Sequence, residues 1–261
     1  MPHSVTITGR SDIGRIRKRN EDSFALRPSL GVAVVADGMG GHPGGDVASR
    51  IAADISAQSL GERVERGAQH EDRSRSWSVA MSETVLSSHS AIQSEAAQSP
   101  ELEGMGTTIT AMVVDAESDS YILGQVGDSR AYSFVDGELV QLTTDDTWVQ
   151  ERVDAKELTP EQAKRHPFGH ILTQCLGLVE PPTPGVLEGP VAPGELYLLC
   201  TDGLVGMIDD EEIAALLAEA FTKSSGQTAA DEAAEALIAA ANEAGGYDNI
   251  TVAIVLIGAA S

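Results

Sequence analysis

Acidic residues at five separated places define the chemistry open to this chain. Asp37 closes an apolar run, Val32 to Ala36, and opens a glycine cluster in VAVVADGMGGHPGGD. Asp202 ends a second run in ELYLLCTDG, and Asp128 ends a third in YILGQVGDSR. Asp248 precedes an apolar run in GGYDNITVAIV, and Glu21 and Asp22 lie in RNED. A carboxylate at the end of a strand is held rigidly yet reaches a cleft, and a neighbouring glycine lets the backbone approach a ligand closely. A single aspartate so placed is an ordinary turn former. Several together suit a hard divalent cation, which prefers carboxylate, carbonyl and water oxygens. Arg15, Arg17, Lys18 and Arg19 stand just before Glu21 and Asp22. Such a cluster fits phosphate, although a basic run is more commonly a solvated loop.

The elements that must hold these residues follow from patterning. Val32 to Ala36 shows no polar alternation, as expected of a strand covered on both faces. Strands are expected at Ser4 to Thr8, Ser23 to Leu26, Thr107 to Val114, Ser120 to Val126, Arg130 to Val135, Glu138 to Leu142, from Glu195, and at Thr251 to Ile257. Asp136-Gly137 carries a type I′ hairpin signal. Helices are expected over Gly45 to Leu60, with a loop from Gly61 to Arg75, and over Trp77 to about Ala97, with Trp77 in the core. Further helices are read at Asp209 to Phe221 and about Thr228 to Asn242. Thr144 to about Phe168 switches to helical spacing with Pro160 at a helix start. Such an insert in a β meander tends to be a functional flap, here expected to govern protein-substrate choice through residues such as Gln150, Glu151 and Arg152. Pro181, Pro182 and Pro184 mark a turn. The whole reads as one domain over 1–261, an α+β fold of packed antiparallel sheets covered by helices.

Composition narrows the partners. A net charge of -23 disfavours nucleic-acid phosphates and anionic membrane surfaces. There is no apolar signal core at the N-terminus, and the longest apolar run, Val252 to Ala260, is too short to span a bilayer. Cys175 and Cys200 read as buried thiols rather than a disulfide, matching a reducing cytoplasm. His3, His70 and His89 sit in polar surroundings and read as solvent histidines.

In order along the chain, R17-x-x-N20-E21-D22, V35-A36-D37-G38-M39-G40-G41-H42, G106-T107-T108, V126-G127-D128-S129-R130, L142-T143, T201-D202-G203 and D248-N249 resemble the metal-dependent protein serine/threonine phosphatases of type 2C, in their bacterial branch. The ordered set is specific where no single motif is. The resemblance implies a four-layer α-β-β-α sandwich, two antiparallel sheets flanked by helix pairs. It implies two Mn²⁺ or Mg²⁺ ions, with Asp37 bridging them, the Gly38 carbonyl on one, and Asp202 and Asp248 on the other. Glu21 and Asp22 would hold metal-bound waters, Asn249 would support Asp248, and Asp128 would join Asp202 in a third metal site. Arg17 would clamp the substrate phosphate. A metal-bridging hydroxide would then attack phosphorus directly. The implied partners are phosphorylated proteins and an opposing serine/threonine kinase, with the enzyme a monomer.

Alternatives stand beside these roles. Asp128 could cap a hairpin and pair with Arg130, Asn249 could be a turn residue, and Gly106-Thr107-Thr108 looks structural. The chain has no GxxxxGK[ST] and no GxGxxG after a strand, and Met39 breaks the D-x-G-x-G of gyrase-type ATPases. A phosphatase fold serving only as a binding module would require lost ligands, and every expected carboxylate is present. Animal relatives carry a histidine where this chain has Met39, which cannot donate a proton. His42 or a metal-bound water would have to protonate the leaving oxygen; the expectation favours water, with His42 ordering the glycine turn.

Overall fold

The computed structural model describes residues 3–39, 44–67, 77–115 and 118–259. In chain order the strands are β1 (Ser4–Asp12), β2 (Asp22–Arg27), β3 (Val32–Asp37), β4 (Ile109–Asp115), β5 (Ser120–Val126), β6 (Arg130–Val135), β7 (Glu138–Gln141), β8 (Gly185–Pro190), β9 (Leu196–Cys200) and β10 (Ile250–Gly258). The helices are α1 (Gly45–Gly67), α2 (Trp77–Gln98), α3 (Trp148–Asp154), α4 (Pro160–Ala163), α5 (Asp202–Val205), α6 (Asp210–Lys223) and α7 (Gly226–Glu243).

Two five-stranded antiparallel sheets result, ordered β1-β10-β9-β6-β7 and β2-β3-β4-β5-β8. The period-two geometry of a strand explains how β3 can be apolar throughout. Val32, Val34 and Ala36 face the core under α1 and α2, whereas Ala33 and Val35 face the core between the sheets. On the other outer face, Leu198, Cys200, Val252 and Ile254 pack beneath α6 and α7. Each valine, leucine or isoleucine among them contributes about 1.5–3 kcal/mol on burial. The helix–sheet–sheet–helix stack is thus set by which residues of each strand point which way. Asp136 and Gly137 both take positive φ, 52° and 86°, as the β6–β7 hairpin signal requires.

The structure corrects several expectations. α1 continues through Gly61 to Gly67, where a loop is expected from the glycine. Leu30 fills the space beside Gly61, within 3.1 Å of where a Cβ would stand. β8 is a strand the sequence hides, because GVLEGP carries two glycines and a proline and lies at the sheet edge beside β5. The insert is less helical than its spacing suggests; only α3 and α4 form, each started by a threonine cap. Within it Arg152 stacks over Trp148 at 5.5 Å and pairs with Glu151 and Glu157, so it braces the insert. A concavity of about 600 Å³ lies wholly on this insert, and none of the candidate carboxylates lines it. His89 is buried, its Nδ1 accepting from the Gly177 amide at 3.1 Å, and His3 is half-buried against Asp119 at 3.2 Å. Trp77 is partly buried on the α1–α2 core under Arg63, and both cysteines are buried and free.

Candidate metal centre

Asp37 is the best-anchored of the acidic residues. Its amide donates to Thr108 Oγ1 at 2.9 Å, while its carbonyl accepts from Thr107 Oγ1 at 2.7 Å and from the Thr108 amide at 2.9 Å. The Gly106-Thr107-Thr108 entry to β4, structural by sequence, is therefore the clamp on the Asp37 backbone. The next residue must be glycine. A Cβ on Gly38 would lie 2.2 Å from the Gly45 carbonyl oxygen and 2.5 Å from that of Glu21.

Asp22 stands opposite Asp37 in the β2–β3 ladder, and it is 8% exposed. Thr201 Oγ1 donates to its Oδ2 at 2.8 Å, a role for Thr201 that its small polar side chain gives no sequence signal for. Asp202 follows at the end of β9, where α5 begins. A Cβ on Gly203 would fall 1.9 Å from the Asn249 carbonyl oxygen, so Asp202 and Asp248 come from two backbones in contact. Asp128 follows Gly127, whose φ of 101° only glycine adopts easily.

These carboxyls perturb one another. Burial, then the charges of Asp22, Asp202 and Asp128, push the Asp37 carboxyl well above the ordinary range. Burial, then Asp202 and Asp145, do the same to Asp128. Burial raises Asp22 to about 7, against hydrogen bonds that lower it, with Asp202 and Asp248 adding to the rise. Asp202 is raised by burial and by Asp248. Strong mutual perturbation of buried carboxyls in one place marks a functional site more than a stabilising one.

Arg17 comes to the edge of this group. Its Nη2 donates to Asp248 Oδ2 at 2.6 Å, which raises the guanidinium pKa, and the side chain remains exposed. Glu21 lies near it, its carboxyl raised by burial. Asn249 does more than support Asp248 through its amide, at 2.8 Å from Oδ1. Its side chain accepts from the Glu21 amide and donates to the carbonyls of Ile13 and Arg19, locking the basic loop to the start of β10. His42 lies outside the described residues.

Arg130 does not pair with Asp128. It forms a bidentate pair with Asp145, at 2.9 Å from Nε to Oδ1 and 2.7 Å from Nη2 to Oδ2. Burial alone would lower the Arg130 pKa; the Asp145 bonds outweigh it and the net shift is upward. Asp146, equally silent in the sequence, accepts from the Gly127 amide at 2.9 Å and from Gln174 Nε2 at 2.9 Å, tying the insert's stems to the Asp128 turn.

The donor set fits hard cations. Asp22 Oδ1 and Asp202 Oδ1 are buried oxygens without a hydrogen-bond partner. Unpartnered buried carboxylate oxygens are expensive unless a cation satisfies them. Among the described residues, however, no three ligating side chains already converge on one point. Thr201 holds one oxygen of Asp22, and Arg17 holds one of Asp248. Asp248 would have to share Arg17, or release it, to ligate.

Comparison with known proteins agrees with this geometry. A family model described as Protein phosphatase 2C matches residues 9–240. The serine/threonine phosphatase stp of Listeria monocytogenes is 34% identical over 249 residues, covering 94% of this chain and 93% of its own. The serine/threonine protein phosphatase PstP of Mycobacterium tuberculosis is 37% identical over 246 residues, 94% of this chain but only 43% of that protein. The solved catalytic domain of PstP in complex with two manganese ions superposes with a TM-score of 0.80 at 33% identity, covering 98% of this chain and 99% of that one.

Proposed function

The chain belongs to the protein phosphatase 2C family, and we propose that it is a metal-dependent protein serine/threonine phosphatase acting on phosphoserine and phosphothreonine in proteins. The observation that carries this reading is the group of buried Asp22 and half-buried Asp37 and Asp202, with one oxygen each of Asp22 and Asp202 buried and unpartnered, beside an exposed guanidinium. Two Mn²⁺ or Mg²⁺ ions would be held by Asp37, the Gly38 carbonyl, Asp202 and Asp248. Asp128 with Asp202 would hold a third, and Glu21, Asp22 and Asn249 would surround the set. When bound, such ions activate water for in-line attack and neutralise charge on the phosphoryl oxygens.

The chain's own residues do the rest. Arg17 binds the phosphate through a planar fork that matches two of its oxygens. Thr107 and Thr108 fix the Asp37 backbone and with it the position of the carboxyl. Met39 has no proton to give, and we assign protonation of the departing serine or threonine oxygen to water in the cleft rather than to His42. The chain acts as one monomeric catalytic domain opposing a serine/threonine kinase, with the insert contributing to protein-substrate choice. Among the described residues no helix is long and apolar enough to cross a membrane; we place the enzyme in the cytoplasm. Phosphate release from a phosphothreonine peptide tests the reading. Release is expected with Mn²⁺ and none in EDTA; equal release in both would defeat it.

A further inference from the structure

Two loops that meet beside Arg17 and Asp248 carry features the catalytic account does not use. The Arg15 amide donates to the Gly246 carbonyl at 2.7 Å, and a Cβ on Gly14 would lie 2.1 Å from the Asp248 carbonyl oxygen. The loop of residues 13–19 and the loop of residues 245–248 are thus held against each other, with Asn249 pinning the first at Ile13 and Arg19. Each loop exposes a large apolar side chain: Ile16 is 63% exposed and Tyr247 is 63% exposed. Arg15, Lys18 and Arg19 are exposed as well, and none makes an ion pair with a described residue. Four of the chain's 17 basic residues fall within five positions, on a molecule of net charge -23.

Unpaired cations on an otherwise acidic surface focus a local positive field. Exposed Ile and Tyr beside them offer contact area, and Tyr is a frequent interface anchor. We infer that this rim docks the residues flanking the phosphoserine or phosphothreonine, and selects phosphosites with an acidic side chain and a bulky apolar one close by. The inference rests on the phosphatase reading and gives its substrate class. An extended substrate advances about 3.3–3.6 Å per residue, so with its phosphate on Arg17 the neighbouring one to three residues lie about 4–11 Å away. That is the reach of adjacent side chains on these two short loops. The rest of the acidic surface would repel such a peptide, which makes the local cations decisive for discrimination.

The test uses two phosphothreonine peptides that differ only beside the phosphoresidue, one with Glu and Leu, the other with Lys and Ser. The intact chain with Mn²⁺ should favour the first by about three- to tenfold in kcat/KM, mainly through KM. Raising the salt to about 0.5 M should shrink the charge-dependent part of that preference. The Arg15→Glu/Lys18→Glu double variant should abolish or invert it, and Tyr247→Ala should reduce it at both salt concentrations. Hydrolysis of p-nitrophenyl phosphate, which has no flanking residues, should stay unchanged in Tyr247→Ala and keep its kcat in the double variant. Equal rates on the two peptides, or a preference that survives both variants, would overturn the inference while leaving the phosphatase reading intact. It is overturned equally if the variants change the oligomeric state but not the preference, since the rim would then cover a second copy. Failure of the unmodified chain to release phosphate from either peptide would remove the phosphatase reading itself, and this one with it.

Discussion

Replacing Asp22 by Asn should stabilise the metal-free protein at pH 8. The Asp22 carboxyl is buried, Oδ1 has no partner, and its pKa rises from 3.8 to about 7. At 1.36 kcal/mol per pH unit, a carboxylate charged in that place opposes folding by about 4 kcal/mol. The folded state binds this proton more tightly than the unfolded one. The penalty is therefore absent below pH 3.8, grows as pH rises, and is complete above about 7. Asparagine keeps the shape and an oxygen to accept from Thr201, but its amide protons inherit the unpartnered side, at about 1–3 kcal/mol. The net gain at pH 8 is about 1–3 kcal/mol, or several degrees in Tm for a domain of this size. At pH 5 most of the penalty is already gone from the parent protein, and the gain should vanish. The assay is urea denaturation of both proteins in EDTA across pH 5 to 8, repeated with Mn²⁺, which should erase the variant's advantage. A variant less stable than its parent at pH 8, or a difference that does not change with pH, would refute the reasoning.

Asp145→Ala leaves the half-buried Arg130 without its bidentate partner and should destabilise the protein by about 2–3 kcal/mol in urea denaturation; the Arg130→Met/Asp145→Leu double variant should recover most of that. Arg17→Ala should raise KM for a phosphopeptide more than it lowers kcat, since the guanidinium binds phosphate before and during attack; an unchanged KM would place the clamp elsewhere. His42→Ala should slow phosphopeptide and p-nitrophenyl phosphate hydrolysis alike and modestly. A large selective loss on the phosphopeptide, whose alkoxide needs protonation far more, would make His42 the general acid.

The strands that carry the carboxylates were legible because burial on both faces leaves an uninterrupted apolar run, as in Val32 to Ala36 and Leu196 to Cys200. An edge strand has no such requirement, which is why Gly185–Pro190, paired only with β5, carries no strand signal beyond the turn marked by Pro181, Pro182 and Pro184. The aspartates announced themselves by standing next to glycine at strand ends. Asp145 and Asp146 could not, and the motif that includes Thr201 does not show its bond to Asp22, since these partners lie 15, 19 and 179 positions away. His89 misled for a related reason: its neighbours in sequence are serines, while its neighbours in space belong to the α2 core and Gly177. Helical spacing in the insert overstated its regularity because capped single turns and a Trp148–His166–Phe168 ring cluster reproduce the same apolar pattern.

The assignment of the metal site to these particular carboxylates is tested most directly by titrating Mn²⁺ into the metal-free protein by calorimetry, alongside Asp37→Asn. The parent chain should bind two ions tightly, with a third weaker at most. Asp37→Asn should keep a cooperative fold, lose tight binding of the pair, and release no phosphate from a phosphothreonine peptide. If Asp37→Asn still binds two ions tightly and turns over at near the parent rate, Asp37 does not bridge them, and the site has been built from the wrong residues.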